Sequence, residues 1–342
     1  MAVMDIMNKI WSEASALYQE RIPQATRDNL EEIRYAMIDD DNVMVANEFT
    51  STLLNKLVKS VVITKVFENP LKTLKKGKKP LGDTIEEIYN NFIKGAEFDG
   101  SGNTTALIGR NLPDTKTCYH RMNFKMKYPV TYSREILAKA FSSWDALEKH
   151  INNLITTLYN SYELDEFLNM KQLIVSAVEA NAMQFVETPD PLAGEAEAKE
   201  FIKTVKTVSG LMQFPSDDFN AYLDAQKVDT KPITTFTRKS EQVLIIDTAT
   251  DVGVAVDVLA STFNMSVAEF NDTRKIVIDH FPNNRIRAAL VDEAFFQIYD
   301  DLFMVKSWEN PESLYMNYWL HVWQTQAYSI LVNAVLFVIP EG

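Results

Sequence analysis

Three stretches of the chain predict an α+β fold with an extended, plate-like subunit. The first runs from Ser142 to Asn181 without a Gly or a Pro. In it Leu147, Ile151, Leu154 and Leu158 recur at alternating four- and three-residue steps, and Leu164, Phe167, Leu168, Leu173, Ile174 and Val178 continue the stripe, which is one apolar face of an amphipathic helix. The second, residues 69–129, changes abruptly to a lysine-rich, then glycine-rich, then alternating composition. The third begins near Val243 and mixes short β-branched runs with short helical ones.

Taken element by element, the long helix starts at Ser142, with Asp145 three residues on in a capping-box arrangement. Unbroken, about 40 residues at 1.5 Å each make a rod roughly 60 Å long; a break near Tyr162 is the alternative. Upstream, Val3, Ile6, Met7, Ile10, Ala14 and Leu17 have helical spacing up to Arg21, and Pro23 ends the run. A helix so detached predicts either an arm or a fraying terminus. Leu30–Ile38 and Ala46–Ser60 predict two more helices, and Ser60–Phe67 a strand.

In the second stretch Lys72, Lys75, Lys76, Lys78 and Lys79 crowd eight positions. Gly95, Gly100, Gly102 and Gly109 then fall within fifteen residues. After them Cys118, Met122, Phe124, Met126 and Tyr128 alternate with polar residues, as in a half-buried strand. An ascending segment, a tip and a descending strand are predicted. Because a two-stranded ribbon is marginal alone, it has to lie on something. After a break at Pro189 and Pro191, Glu195–Val208 predicts a helix. Val243–Asp247, Lys275–Asp279, Ala289–Asp292 and Phe296–Asp301 predict strands, and Ala255–Phe263 a helix. Residues 314–339 predict a strand pair covered on both faces and returning to the long helix.

The chain has 342 residues, with Lys+Arg 34 against Asp+Glu 47 for a net charge of −13. That balance argues against a dedicated nucleic-acid binder, which needs clustered positive charge. Cys118 is the single cysteine, so no intrachain disulfide or thiolate metal cluster can form. The N-terminus lacks an apolar run of signal-peptide length, and no stretch approaches the ~20 apolar residues of a membrane span.

Catalytic constellations are missing. Gly77–Gly82 has the glycine spacing of a phosphate loop, but Asp83-Thr84 follow where Lys-Ser/Thr is required, so a turn between strands is expected. His120, His150, His280 and His321 lie far apart without metal-ligand spacing, with His150 expected on the polar side of its helix and His321 on one face of a strand. Cys118 is expected as a packed small residue. Glu86-Glu87 and Asp300-Asp301 are adjacent and point in different directions. No catalytic, cofactor or metal residue is assigned. The lysine cluster, Lys72, Lys75, Lys76, Lys78 and Lys79, is expected to contact acidic side chains of another copy; a solvated basic turn is the alternative.

Five segments in order carry a resemblance. Residues 69–89 (NPLKTLKKGKKPLGDTIEEIY), Phe141–Phe167, Val256–Phe270, Ala289–Leu302 and Leu314–Thr325 resemble the major capsid proteins of small, short-tailed podophages of the phi-twenty-nine, or picovirus, type. The resemblance implies the Hong Kong phage-type, or tailed-phage major capsid, fold. It divides the chain into an N-terminal arm 1–27, a peripheral domain at 28–68 and 130–205 with spine helix 142–181, an extended loop 69–129, an axial domain 206–307 and closing peripheral strands 308–342. It implies no cofactor and no enzyme activity, but a head protein that assembles as pentamers and hexamers into an icosahedral or prolate shell around packaged double-stranded DNA. Implied partners are a separate scaffolding protein, a portal protein at one vertex and the DNA itself by weak proximity, with no membrane. The implied location is the virion, and the host bacterial cytoplasm during assembly. Some relatives carry an immunoglobulin-like domain, which is not expected here. The alternatives are an encapsulin-like nanocompartment shell, a portal or scaffold component, and a cytoplasmic α+β enzyme with no recognisable motif.

Overall fold

A computed structural model describes residues 3–38, 43–56, 67–95, 112–223, 231–254, 274–310, 312 and 315–340. The strand expected before Phe67, the tip of the glycine-rich loop and the helix expected at 255–263 lie outside them. The chain forms two compact units. The first comprises Met1–Asn69, Asn123–Glu166 and Asp300–Gln324, and the second comprises Pro70–Met122, Phe167–Tyr299 and Thr325–Gly342.

The first unit opens with α1 (Val3–Glu13) and α2 (Ala16–Arg21), where one helix was expected. Ser15 makes the break. Its Oγ accepts the Tyr18 N–H at 3.2 Å, and its own N–H and hydroxyl both donate to Glu48. A serine with an extended backbone and a free amide to cap starts a new helix rather than continuing the old one. Glu48 lies on α4 (Val43–Lys56), which follows α3 (Leu30–Ile38). Val3, Ile6, Met7 and Ile10 are buried in the unit's core, and the Asn8 amide brackets the backbone of Ala25 at 2.9 and 3.0 Å. In the single chain residues 3–25 therefore rest on their own unit.

β4 (Phe124–Ser133) pairs antiparallel with β10 (Tyr315–Tyr328), and β9 (Phe296–Asn310) lies on the other side of β10. Among the described residues β4 is an edge strand, which is where Pro129 in its interior is tolerated. The strand expected over 117–128 is interrupted at 121–123 and runs on past Pro129. α5 (Arg134–Ala140) leads to the long helix α6 (Trp144–Glu179), 36 residues and about 54 Å at 1.5 Å per residue. It is unbroken. Ser143, one residue later than expected, caps it by accepting the Ala146 N–H at 3.1 Å.

The buried side of α6 winds around it. Leu147, Ile151, Leu154 and Leu158 belong to the first core, whereas Phe167, Met170, Ile174 and Ala177 belong to another. Between Leu158 and Ile174 one row of covered positions, Tyr162, Glu166 and Met170, advances in steps of four, with Tyr159, Glu163, Phe167 and Lys171 covered beside it. Each step overshoots a full turn by about 40°, so Leu158 and Ile174 lie about 160° apart round the axis. Leu164 and Leu168, expected in the stripe, are instead 47% and 48% exposed.

The helix ends in a Schellman motif. Asn181 has φ 53°, its N–H donates to Val178 O at 3.0 Å, and the Ala182 N–H donates to Ala177 O at 2.7 Å. Beyond it, the second unit is a three-layer sandwich. Its sheet has the order β5-β11-β8-β6-β7, formed by Gln184–Glu187, Ala334–Val338, Ile286–Asp292, Gln242–Asp247 and Arg274–Ile278. On one face Val243, Ile245, Ala289, Val291 and Leu336 pack with the C-terminal half of α6. On the other, Leu244, Ile246, Ala288, Leu290, Val335 and Phe337 pack with Phe201, Ile202 and Val205 of α7 (Glu195–Leu211). A short α8 (Thr248–Gly253) follows β6, capped by Asp247. The last two strands do not pair, contrary to expectation: β10 joins β4 and β9, whereas β11 inserts between β5 and β8. β11 is buried on both faces, whereas β10 is buried on one only up to Trp323 and on both at Gln324, Thr325 and Gln326.

The left-handed backbone at Asn181 sets a test. Asn181→Gly is expected to leave stability unchanged or slightly raised, and Asn181→Val to lower it by about 1–2 kcal/mol, because a β-branched residue resists positive φ. Thermal unfolding of the unassembled chain measures both.

Candidate functional site

The residues that could carry chemistry are scattered and satisfied. His120 Nε2 lies 3.0 Å from Glu87 Oε2. His150 does not lie on the polar side of its helix: it packs edge-on against Tyr132 with centroids 4.9 Å apart, and burial depresses its pKa. His280 is exposed beside Asp279, and His321 occupies the half-buried face of β10. Among the described residues no group of three or more His, Cys, Asp or Glu could hold a metal ion. Cys118 is half-buried, and burial, aided by Glu87, pushes its thiol up to about 11. At neutral pH it is a packing residue rather than a nucleophile. Glu86 and Glu87 face opposite ways, toward Tyr119 and His120.

The phosphate-loop look-alike is a turn. β1 is Gly77–Lys78, and β2 starts at Ile85. Between them the Asp83 N–H donates to Pro80 O at 3.3 Å, with Gly82 at φ +91°, the positive angle a type II turn requires at its third residue.

The lysines are spread along this approach. Leu71 and Leu74 bury the turn Pro70–Leu74 in the second unit's core, leaving Lys72 exposed and Lys75 half-covered. Lys76 Nζ donates to Glu293 O at 2.7 Å, and Lys79 Nζ to its own turn at Asp83 O. Lys78 is exposed on β1. The five thus share one stretch of surface without forming a single pocket.

β2 (Ile85–Asn90) and β3 (Thr115–His120) form a two-stranded antiparallel ribbon. One face lies on its own unit: Tyr89 and Cys118 pack against Tyr222, Ile233 and Leu331. The Tyr89 hydroxyl donates to Thr234 O. The Asn91 amide accepts from Thr234 N at 3.1 Å and donates to Pro232 O at 3.0 Å. The other face leaves Ile88 and Tyr119 exposed, Tyr119 by 62%. Sequence inspection missed these two; the signal was Ile88-Tyr89, two apolar residues in succession where strict alternation allows one per face.

Among the buried ionisable side chains, Glu166 and Lys171 are each held by named partners. In the first unit Glu166 accepts from Tyr162 at 2.6 Å, Gln324 at 2.6 Å and Asn69 at 3.1 Å. In the second, buried Lys171 pairs with Asp279 at 2.8 Å and lies 4.8 Å above the Phe167 ring.

Comparison with known proteins bears on all of this. The sequence profile of the family described as Phi29-like phage major capsid protein matches residues 7–338. The chain is 33% identical to the major capsid protein of Bacillus phage PZA over 338 residues, 98% of this chain and 72% of that one. It is 26% identical to that of Streptococcus phage Cp-1 over 361 residues, 99% and 95% of the two chains. A chain of the capsid structure of Staphylococcus phage Andhra shares the fold with a TM-score of 0.65 at 14% identity, over 82% of this chain and 87% of that one. A chain from the structure of the head fiber and inner core protein gp22 of bacteriophage P68 does so with a TM-score of 0.61 at 15% identity, over 82% and 87%.

The Lys171–Asp279 pair gives a prediction with a sign. Burial, the largest single influence, pushes the Asp279 carboxyl up, but the hydrogen bonds from Lys171 and the His280 backbone and the charges of both residues together outweigh it, and the net pKa is lowered. A carboxylate depressed in the folded state contributes stability above its unfolded pKa of about 4, and that stability is lost as pH falls through the folded value. Asp279→Asn should therefore destabilise at pH 7 and lose its difference from the parent in acid. The cost is about 1–2 kcal/mol, below the ~3–5 of a fully buried pair because Asp279 is half-exposed. Urea unfolding across pH measures it.

Proposed function

The chain belongs to the Phi29-like phage major capsid protein family, and from that premise we propose that copies of it associate as pentamers and hexamers tiling a closed shell, icosahedral or prolate, around packaged double-stranded DNA. It is a structural protein of the phage virion with the tailed-phage capsid fold. The observation that carries the proposal is the match over residues 7–338, nearly the whole chain, to shell-forming proteins.

Heterologous contacts close into rings when the rotation between copies is a simple fraction of a circle. Several weak contacts per copy then add by multivalency. Within that scheme residues 1–27 act as an arm, 69–129 as the extended loop, 206–307 as the axial domain, and 28–68, 130–205 and 308–342 as the peripheral domain. The exposed outer face of the ribbon supports the loop's role, since Ile88 and Tyr119 are apolar surface in need of a cover. Assembly takes place in the host bacterial cytoplasm with a separate scaffolding protein, and a portal protein occupies one vertex. The net charge of −13 suits a lining that does not hold DNA, so the genome can enter and leave. No catalytic role is proposed.

Expression with and without the genomic neighbours, followed by negative-stain microscopy, tests the function: closed shells are expected, and a chain that stays monomeric at every concentration overturns it. Within that assay, Lys75, Lys76, Lys78 and Lys79 reversed to Glu should reduce particle yield at low salt. Unchanged yield would dispose of a role for the lysines between copies.

A further inference from the structure

The first unit's sheet has a second face, and its chemistry differs from the rest of the chain. Phe124, Tyr128, Val130 and Tyr132 of β4, Tyr318, Leu320 and Val322 of β10, and Phe303 and Val305 of β9 all point into the core. The residues between them point away. There the antiparallel register sets Lys125 opposite Trp323, Lys127 opposite His321, Pro129 opposite Trp319 and Thr131 opposite Asn317. Lys125 Nζ lies 5.2 Å above the Trp323 ring. On β9, Lys306 and Trp308 alternate with Val305, and Trp308 is 71% exposed. Lys125, Lys127 and Lys306 make no ion pair among the described residues, and these outward positions include no Asp or Glu.

A basic, tryptophan-bearing strip on an acidic chain calls for an anionic cover. A nucleic acid is the weaker fit. A closed duplex offers tryptophan no base to stack on, and three lysines make a small phosphate footprint. A protein surface fits better: aromatic anchors at the centre with charges around them is the usual anatomy of an interface. The rest of the chain supplies the opposite sign, with 47 acidic side chains against 34 basic. We propose that this face is a contact between copies, in which Trp308, Trp319 and Trp323 are the anchors and Lys125, Lys127 and Lys306 meet an acidic surface of a second copy. The assignment rests on the shell-forming function and names a surface for it.

Hydroxyl-radical footprinting of Trp308 in the unassembled full-length chain, in empty particles and in DNA-filled particles is the test. Protection is expected in both kinds of particle alike. The triple variant Lys125→Glu, Lys127→Glu, Lys306→Glu should need about tenfold more protein to assemble, since like charges brought together at an interface are repelled. The gap from the parent should narrow as salt screens it. Circular dichroism of the unassembled variant should match the parent; where it does not, the Lys→Gln triple is used, with a smaller rise expected. Trp308 equally reactive in particles and free chain, or protected only in filled ones, overturns the assignment. So does assembly of the folded triple variant at the parent's concentration. If the parent forms no particles even when expressed with its genomic neighbours, the shell-forming function itself fails, which is seen before any variant is made.

Discussion

One helix has to cover two separate hydrophobic cores, and the architecture of the chain depends on it. A straight stripe at three- and four-residue steps would give α6 a single buried side along its 36 residues. Successive steps of four, from Leu158 through Tyr162, Glu166 and Met170 to Ile174, turn that side round the axis instead. The turning stretch is also where hydrocarbon gives way to hydroxyl, carboxylate and amide. Glu166, wholly buried, accepts hydrogen bonds from Tyr162, Gln324 and Asn69. A buried carboxylate with several donors is tolerated only where all of them are in place, so the stretch specifies one arrangement more than it adds stability.

The second unit handles its constraint differently. Its sheet is apolar on both faces and needs two covers, the C-terminal half of α6 on one side and α7 on the other. The ribbon of β2 and β3 has only one face's worth of cover. Its root is held by the Asn91 amide, which offers one donor and one acceptor to the backbone of residues 232–234 much as a neighbouring strand would. A ribbon too small to be stable alone gains a fixed point of departure in this way.

Much of this was legible from the sequence where the signal is local. The span of α6, the strands at Val243–Asp247 and around Ala289, the helix after Gly194 and the turn at Gly82 all follow from spacing and turn chemistry. The winding of α6 did not, because Leu164 and Leu168 fit a four-step stripe as well as the covered residues do. Only a tertiary partner decides between them. The separate destinations of β10 and β11 depend on register with strands far away in the chain, and alternation says nothing about that. The break at Ser15 needed Glu48, thirty-three residues on, to accept its amide and hydroxyl. The lysine cluster was visible as composition, but not the carbonyls that occupy Lys76 and Lys79. The strip of Trp308, Trp319, Trp323 and the lysines beside them was invisible as a unit, since strands more than 180 residues apart contribute to it.

Pro129 sits in the interior of β4, the edge strand of its sheet among the described residues. An exposed edge is a template on which another molecule's strand can add, and repeated addition leads to fibres. A proline there withholds one donor and places a ring where an incoming backbone would lie. In a shell-forming protein that small defect opposes strand-on-strand addition and favours side-chain surfaces, which can terminate in a closed body, as the means of association.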